Sequence, residues 1–225
     1  MDVGSGIRTM FNILSRTYGK QNWWPADTPF EVCVGAILTQ NTSWKNVEKA
    51  IANMKRGNLL SGSAILDSPT HILEKAIKPA GFYRQKAARL KYFCRHVYFD
   101  AIRKMSLHDA RAHLLSLKGI GRETADSILL YAFNKPIFVV DAYTKRIYGR
   151  VFEGNESTAL DYEKVRTVFE KALGKSAPKY NEMHALLVEH AKKHCTKSNP
   201  KCISCPLFRM CMFGRRDALK AANKK

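Results

Sequence analysis

The chain of 225 residues is long enough for one or two domains, and its 45% hydrophobic content with 10% aromatics can fill a real core. No run of 18 apolar residues is present, which excludes a membrane-spanning helix. Lys and Arg number 38 against 19 Asp and Glu, a formal charge of +19. The expected partner is therefore a polyanion, and phosphate is favoured over a membrane surface because no long basic amphipathic helix accompanies the charge. A solubilising surface is the alternative.

At the N-terminus, Met1-Asp2-Val3-Gly4-Ser5-Gly6 lacks the basic and apolar stretches of a signal peptide. A non-secreted chain is expected, and its cysteines then read as thiols or metal ligands rather than disulfides. Ile7, Met10, Phe11 and Leu14 fall at helical spacing and predict a first helix. Trp23-Trp24-Pro25 breaks that pattern and opens a loop. Phe30 to Leu38 is a compact apolar helix, followed by the polar link Thr39-Gln40-Asn41-Thr42. Val47, Ile51 and Met54 stripe the next helix, Gly57 and Gly62 bracket a turn, and Ser68-Pro69 starts a short helix that Gly81 ends. Ala88, Leu90, Phe93, Val97 and Ile102 predict one longer helix. Two later helices are expected over Ala159–Ala172 and Tyr180–Lys193. Cys33 and Cys94 sit in apolar patterns and read as buried spectators. No strand set is visible, so the class is all-α.

Ser106-x-x-Asp109 offers an N-cap with an acidic third residue. A helix follows to about Leu117, and another begins near Arg122 with Ala125, Ile128, Leu129 and Ala132. Between them lies Leu117-Lys118-Gly119-Ile120-Gly121. Two glycines around one apolar residue permit a tight turn with positive φ, which Ile120 would anchor in the core. The N–H groups opening the second helix suit a phosphate. This is a helix-hairpin-helix device, although GxG between helices is a weak signal alone. Next, the apolar run Pro136-Ile137-Phe138-Val139-Val140 delivers Asp141 at the start of a helix carrying Tyr143, Ile147 and Tyr148. An N-cap role and a catalytic role are compatible there, since a helix N-terminus keeps a carboxylate ionised.

Cys195, Cys202, Cys205 and Cys211 form C-x6-C-x2-C-x5-C within seventeen residues. Structural zinc usually pairs two short knuckles, and only Cys202/Cys205 makes one. The uneven spacing suits a cubane iron–sulfur cluster, with zinc and disulfides as alternatives. From residue 192 onward ten basic residues face one acid, Asp217. The ten include Lys192, Lys193, Lys197, Lys201, Arg209, Arg215, Arg216, Lys220, Lys224 and Lys225.

The hairpin Leu117-Lys118-Gly119-Ile120-Gly121-Arg122-Glu123-Thr124-Ala125, then Val139-Val140-Asp141, then the cysteine loop resembles the endonuclease III branch of the helix-hairpin-helix (HhH-GPD) DNA glycosylases. The similarity runs from about Phe30 to Cys211. It implies a six-helix barrel domain (residues 23–137, hairpin at about 106–133). It also implies a cluster domain from residues 1–22 and 138–225 with a [4Fe-4S] cluster at 195–211, and a DNA cleft between the two. It implies double-stranded DNA with a damaged base as partner, contacts from Gln40, Lys118, Gly119, Ile120, Gly121, Arg122, Thr124, Lys197 and Lys201, and Asp141 as catalytic carboxylate. Gln40 would fill the gap left by the flipped base; capping the preceding helix is its alternative.

Bifunctional members carry lysine where this chain has Glu123, and a carboxylate cannot form the imine needed for strand cleavage. The resemblance therefore implies a monofunctional glycosylase with weak or absent AP lyase activity. Trp23-Trp24-Pro25 and the stretch to Trp44 look like the 3-methyladenine glycosylase offshoot. A base pocket of Trp23, Trp24, Trp44 and Glu123 is expected, the tryptophans exposed in their loop and Trp24 and Trp44 stacking on the damaged base. Plugging the barrel rim is the alternative for the tryptophans. An N3-alkylated adenine is cationic, which aromatic faces hold by cation–π attraction. The competing readings are an endonuclease III-type glycosylase for oxidised pyrimidines, a non-catalytic DNA-binding iron–sulfur protein, and a soluble electron carrier. A monomer on the nucleoid of a prokaryotic cytoplasm is expected.

Overall fold

The computed structural model describes residues 2–21, 23–155 and 160–216. Among them are helices and turns and no strand, so the protein is all-α. Two compact units divide the chain, one from Trp24–Lys135 and one from Met1–Trp23 with Pro136–Lys225.

The Trp24–Lys135 unit is built around α2 (Pro29–Leu38). Its sequence PFEVCVGAIL has no polar stripe, and residues 31–38 are all buried, as a helix apolar on every side must be. Thr28 starts it by accepting the Glu31 N–H at 3.1 Å, with Pro29 in the first turn. Around it run α3 (Trp44–Arg56), α4 (Gly62–Asp67), α5 (Thr70–Ile77) with a 3-10 turn at Lys78–Ala80, and α6 (Tyr83–His96). Then follow α7 (Phe99–Lys104), α8 (Leu107–Ser116) and α9 (Arg122–Ser127), which widens into a π turn over Ile128–Ala132. Gly62 thus opens a short helix capped by Ser61 rather than merely closing a turn.

The long helix expected through Ile102 is two helices. Val97 is extended at φ −112°, ψ 117°, and α7 begins at Phe99. No Gly or Pro announces the break. The run Val97-Tyr98-Phe99 is β-branched and aromatic, which costs side-chain freedom in a helix. Val97 and Ile102 stay buried on either side of the break. Ala88 is exposed, and the buried face runs through Lys86, Ala87, Leu90 and Phe93 instead. Cys33 is buried and Cys94 half-buried.

The other unit packs α1 (Val3–Tyr18) on α11 (Tyr162–Leu173) and α12 (Ala177–Lys193), with α10 (Ala142–Tyr148) running on into a π turn over Gly149–Glu153. The α11 helix starts at Tyr162, where Asp161 accepts the Lys164 N–H at 2.8 Å; Ala159 lies outside the described residues. The α12 helix starts at Ala177 rather than Tyr180, because Ser176 caps it and Pro178 sits in its first turn. Ile137–Val140 is buried and belongs to neither a helix nor a strand. Side chains satisfy its backbone: the Phe138 N–H donates to Glu170 at 2.9 Å and the Val140 N–H to Tyr162 at 3.4 Å. Phe138 stacks on Phe169 at 4.5 Å, nearly parallel. This anchored segment leads directly into Asp141.

Candidate active site

The hairpin in the Trp24–Lys135 unit joins α8 to α9. Ser106 caps α8 by accepting the Asp109 N–H at 3.1 Å. Arg111 of α8 grips the buried Asp126 of α9 with two hydrogen bonds, at 2.7 and 3.0 Å, fixing the two helices together. In the turn, Leu117 and Ile120 are buried, so Ile120 is the anchor the sequence suggests. Only Gly119 uses the left-handed region (φ +86°); Gly121 is at φ −92° and serves as the N-cap residue of α9. Lys118, Arg122 and Glu123 are exposed, whereas Thr124 is buried.

Gln40 does not cap α2. Its amide donates to the Gly119 carbonyl and to Thr124 Oγ1, both at 3.0 Å, and Arg89 of α6 donates to its carbonyl oxygen. A Cβ on Gly119 would stand 2.6 Å from Arg89 Nε. Gly119→Ala is therefore expected to lower stability by about 1–2 kcal/mol and to weaken duplex binding, checked by thermal melts and a fluorescence titration with undamaged duplex.

Trp24 and Trp44 meet edge to face, with centroids 4.9 Å apart at 88°, and Tyr131 lies 5.0 Å from Trp24. They do not form the parallel-walled slot that stacking on both would need. The Trp24 indole sits close against α2: a Cβ on Gly35 would lie 3.2 Å from Trp24 Cζ2, so a larger residue there would require the indole to give by a few tenths of an ångström. Beside the rings is a cavity of about 210 Å³ lined by Pro25, Glu31, Glu48 and Lys55 as well as both tryptophans. Lys55 bridges Glu31 at 2.9 Å. Trp23 and Glu123 are not among the lining residues. Trp23 belongs to the other unit, where the Lys192 ammonium lies 5.3 Å from its ring centroid. Both tryptophans of the loop are half-buried rather than exposed, because each has found an aromatic or cationic neighbour.

In the other unit, Asp141 is the N-cap of α10. Its Oδ1 accepts the Thr144 N–H at 2.7 Å and its Oδ2 stands 3.5 Å from His184 Nε2 of α12. The Asp141 side chain is 14% exposed and that of His184 7%. Burial pushes the Asp141 pKa up, but the His184 contact and the Thr144 N–H outweigh it and hold the group below its usual range. The site is thus a nearly buried carboxylate kept ionised, suited to stabilising positive charge or orienting a water.

Cys195, Cys202, Cys205 and Cys211 line one cavity with His190, His194 and Arg150. None of the six cysteines forms a disulfide. Arg150 donates to Cys195 Sγ at 3.2 Å, the Gly214 N–H donates to Cys211 Sγ at 3.3 Å, and His190 Nε2 lies 3.6 Å from Cys205 Sγ. Burial pushes the Cys205 thiol up to about 12 and raises Cys211 as well. Among the described residues no three His, Cys, Asp or Glu side chains converge tightly enough for one metal ion. The four thiols around this cavity are the residues that could hold a metal group. Lys197, Lys201 and Arg209 are exposed on this loop, and Asp217, Lys220, Lys224 and Lys225 lie outside the described residues.

The family described as HhH-GPD superfamily base excision DNA repair protein matches residues 34–175. The chain belongs to that family. A chain of Methanocaldococcus jannaschii provisionally named a DNA repair glycosylase, MJ1434, is 48% identical to this HhH-GPD protein, covering 92% of this chain and 96% of its own. Endonuclease III of Thermotoga maritima is 31% identical, covering 84% of each chain. The solved H. pylori 3-methyladenine DNA glycosylase MagIII, bound to 1,N6-ethenoadenine, is similar with a TM-score of 0.72 at 28% identity, covering 86% of this chain and 98% of its own. The HhH-GPD protein described above is an endonuclease III-like DNA glycosylase of base excision repair.

Sequence reasoning missed several residues of this HhH-GPD chain that the structure makes notable. His184 and Arg150 sit inside helical runs whose spacing reads as core, and only tertiary packing turns them toward Asp141 and the cysteines. Arg89 is one of many cations on α6. Phe82 is 63% exposed with φ +45°, a strained conformation for a bulky residue; an aromatic directly after Gly81 in a turn was the available signal.

Proposed function

We propose that this glycosylase is monofunctional and hydrolyses the N-glycosidic bond of alkylated purines such as 3-methyladenine in double-stranded DNA. The observation that carries the reading is the contrast between two carboxylates. Asp141 is held ionised in a nearly buried setting, while Glu123 is exposed where bifunctional relatives present an amine. The damaged base leaves the stack. Asp141 then stabilises the oxocarbenium-like sugar and orients the attacking water. No amine is needed, and none forms an imine.

The substrate class is supported by the aromatic group of Trp24, Trp44 and Tyr131 beside Glu48 and the Lys55–Glu31 ion pair. Aromatic faces and carboxylates favour a cationic base. The MagIII similarity points the same way. A [4Fe-4S] cluster on Cys195, Cys202, Cys205 and Cys211 would act as a rigid scaffold, presenting Lys197 and Lys201 to phosphates. The protein is read as a monomer acting on nucleoid DNA in a prokaryotic cytoplasm.

The second reading, release of oxidised pyrimidines, is favoured by the endonuclease III similarity. Incubation with methylated duplex and with thymine-glycol duplex separates the two: free 3-methyladenine from the first supports our reading, and release of thymine glycol alone sinks it. With borohydride present, the wild type is expected to give no covalent protein–DNA adduct. Glu123→Lys is expected to give one, because it restores an amine on the exposed first turn of α9.

A further inference from the structure

Three surface loops of the Trp24–Lys135 unit are tied to one face of α6. Lys86 and Arg89 stand one turn apart on that helix. Lys86 is 1% exposed, and its ammonium donates to the Leu38 carbonyl at 2.9 Å and the Ala80 carbonyl at 2.8 Å. These carbonyls belong to the last residues of α2 and of the 3-10 turn. Two residues beyond each come Gln40 and Phe82. Burial pushes Lys86 down to about 8, and its bonds to both carbonyls are what make the buried group tolerable. Arg89 adds the third loop. Its guanidinium donates to Gln40, whose amide donates on to Gly119 and Thr124, and its stem fills the space a Gly119 side chain would take.

We propose that Arg89 is a positioning residue that sets the pose of Gln40 against the hairpin, with Lys86 as the buried anchor holding the Gln40 and Phe82 loops in register. DNA then meets one preformed surface instead of three loops that must each be ordered on binding. The inference rests on the reading of Gln40 and the hairpin as DNA contacts. Gln40 uses both ends of its amide in this network, so its direction is set before DNA arrives. Arg89 touches no reacting atom, and its effect passes through Gln40 and the Gly119 turn.

The test uses the full-length protein and duplex DNA with a tetrahydrofuran abasic analogue beside 2-aminopurine, whose fluorescence rises on unstacking. Wild type, Arg89→Met, Arg89→Lys, Gln40→Ala and the Arg89→Met/Gln40→Ala double variant are compared, with single-turnover base release on methylated duplex as a second readout and melting temperature as the folding control. Arg89→Met and Gln40→Ala should each lower the fluorescence gain and slow base release roughly 10-fold. The double variant should stay within about 2-fold of Gln40→Ala, as expected when one residue acts through the other. Arg89→Lys, which keeps a donor and folds with less disturbance, should recover part of the loss. Multiplicative losses in the double variant, or wild-type fluorescence in Arg89→Met and Arg89→Lys while Gln40→Ala is impaired, would overturn the proposal. Wild-type fluorescence in Gln40→Ala overturns it by a separate route, because the reading of Gln40 itself then fails.

Discussion

Replacing Asp141 by Asn is expected to cut kcat/KM for base release by roughly 10³-fold while leaving the fold in place. The two effects separate because Asn is as good an N-cap as Asp. Its side-chain oxygen can still accept the Thr144 N–H, and Ile137–Val140 stays buried and satisfied by Glu170 and Tyr162. In the proposed mechanism, what disappears is the negative charge that stabilises the developing sugar cation. Thermal melts should therefore move by only a few degrees for a lost buried charge contact, while release of 3-methyladenine falls to background. Unchanged release by Asp141→Asn would show that another group carries the reaction.

The same carboxylate fixes a pH dependence. Its folded pKa is depressed, so the stability it contributes is present above the unfolded carboxylate value and is lost as pH falls through the lower, folded one. The acid limb of the kcat/KM profile should accordingly lie below the usual carboxylate range. His184→Leu removes the main influence that opposes burial, and the limb should move to higher pH. A limb that stays in place in His184→Leu would mean that another group controls it.

Arg150→Met should be the most damaging change away from the chemistry. Arg150 is 2% exposed and donates to the Thr196 carbonyl at 2.8 Å, the Lys197 carbonyl at 3.0 Å and Cys195 Sγ, with Phe213 4.8 Å below its guanidinium. Met fills much of the volume but satisfies none of the acceptors. The loss should reach about 3–5 kcal/mol, or roughly 10 °C in melting temperature for a chain of this size. With the proposed cluster on this loop, the purified variant should also carry less iron per chain, since the cysteine loop loses Arg150's hydrogen bonds. A melting temperature within about 2 °C of wild type would show that the loop holds itself.

The fold and the family were legible because their signals are local. A cap at Ser106, a glycine at 119, an apolar run before Asp141 and a fixed cysteine spacing each act within a few residues of chain. The helix break at Val97 escaped because no turn former marks it and the burial pattern continues through it. The tryptophans were misjudged for a related reason. Sequence placed Trp23 and Trp24 together, whereas consecutive residues in a loop can be claimed by different surroundings: Lys192 for one, Trp44 and Tyr131 for the other. His184, Arg150 and Arg89 act across long sequence separations, to Asp141, the cysteines and Gln40, and periodicity carries no information about such contacts.

The two π turns suggest how these sites tolerate change over evolutionary time. Tyr131 lies in the turn that ends α9, and Arg150 in the one that ends α10. A π turn is an α-helix with one residue more than its register needs. Removing that residue would close the turn to regular α-helix, keeping the register beyond it but turning residues inside the turn by about 100° about the axis. Tyr131 would swing away from Trp24, and Arg150 away from Cys195, with no change in the chemistry of either side chain. Single-residue deletions there should be purged as strictly as substitutions of Tyr131 or Arg150, so chain length is a constrained character at both places.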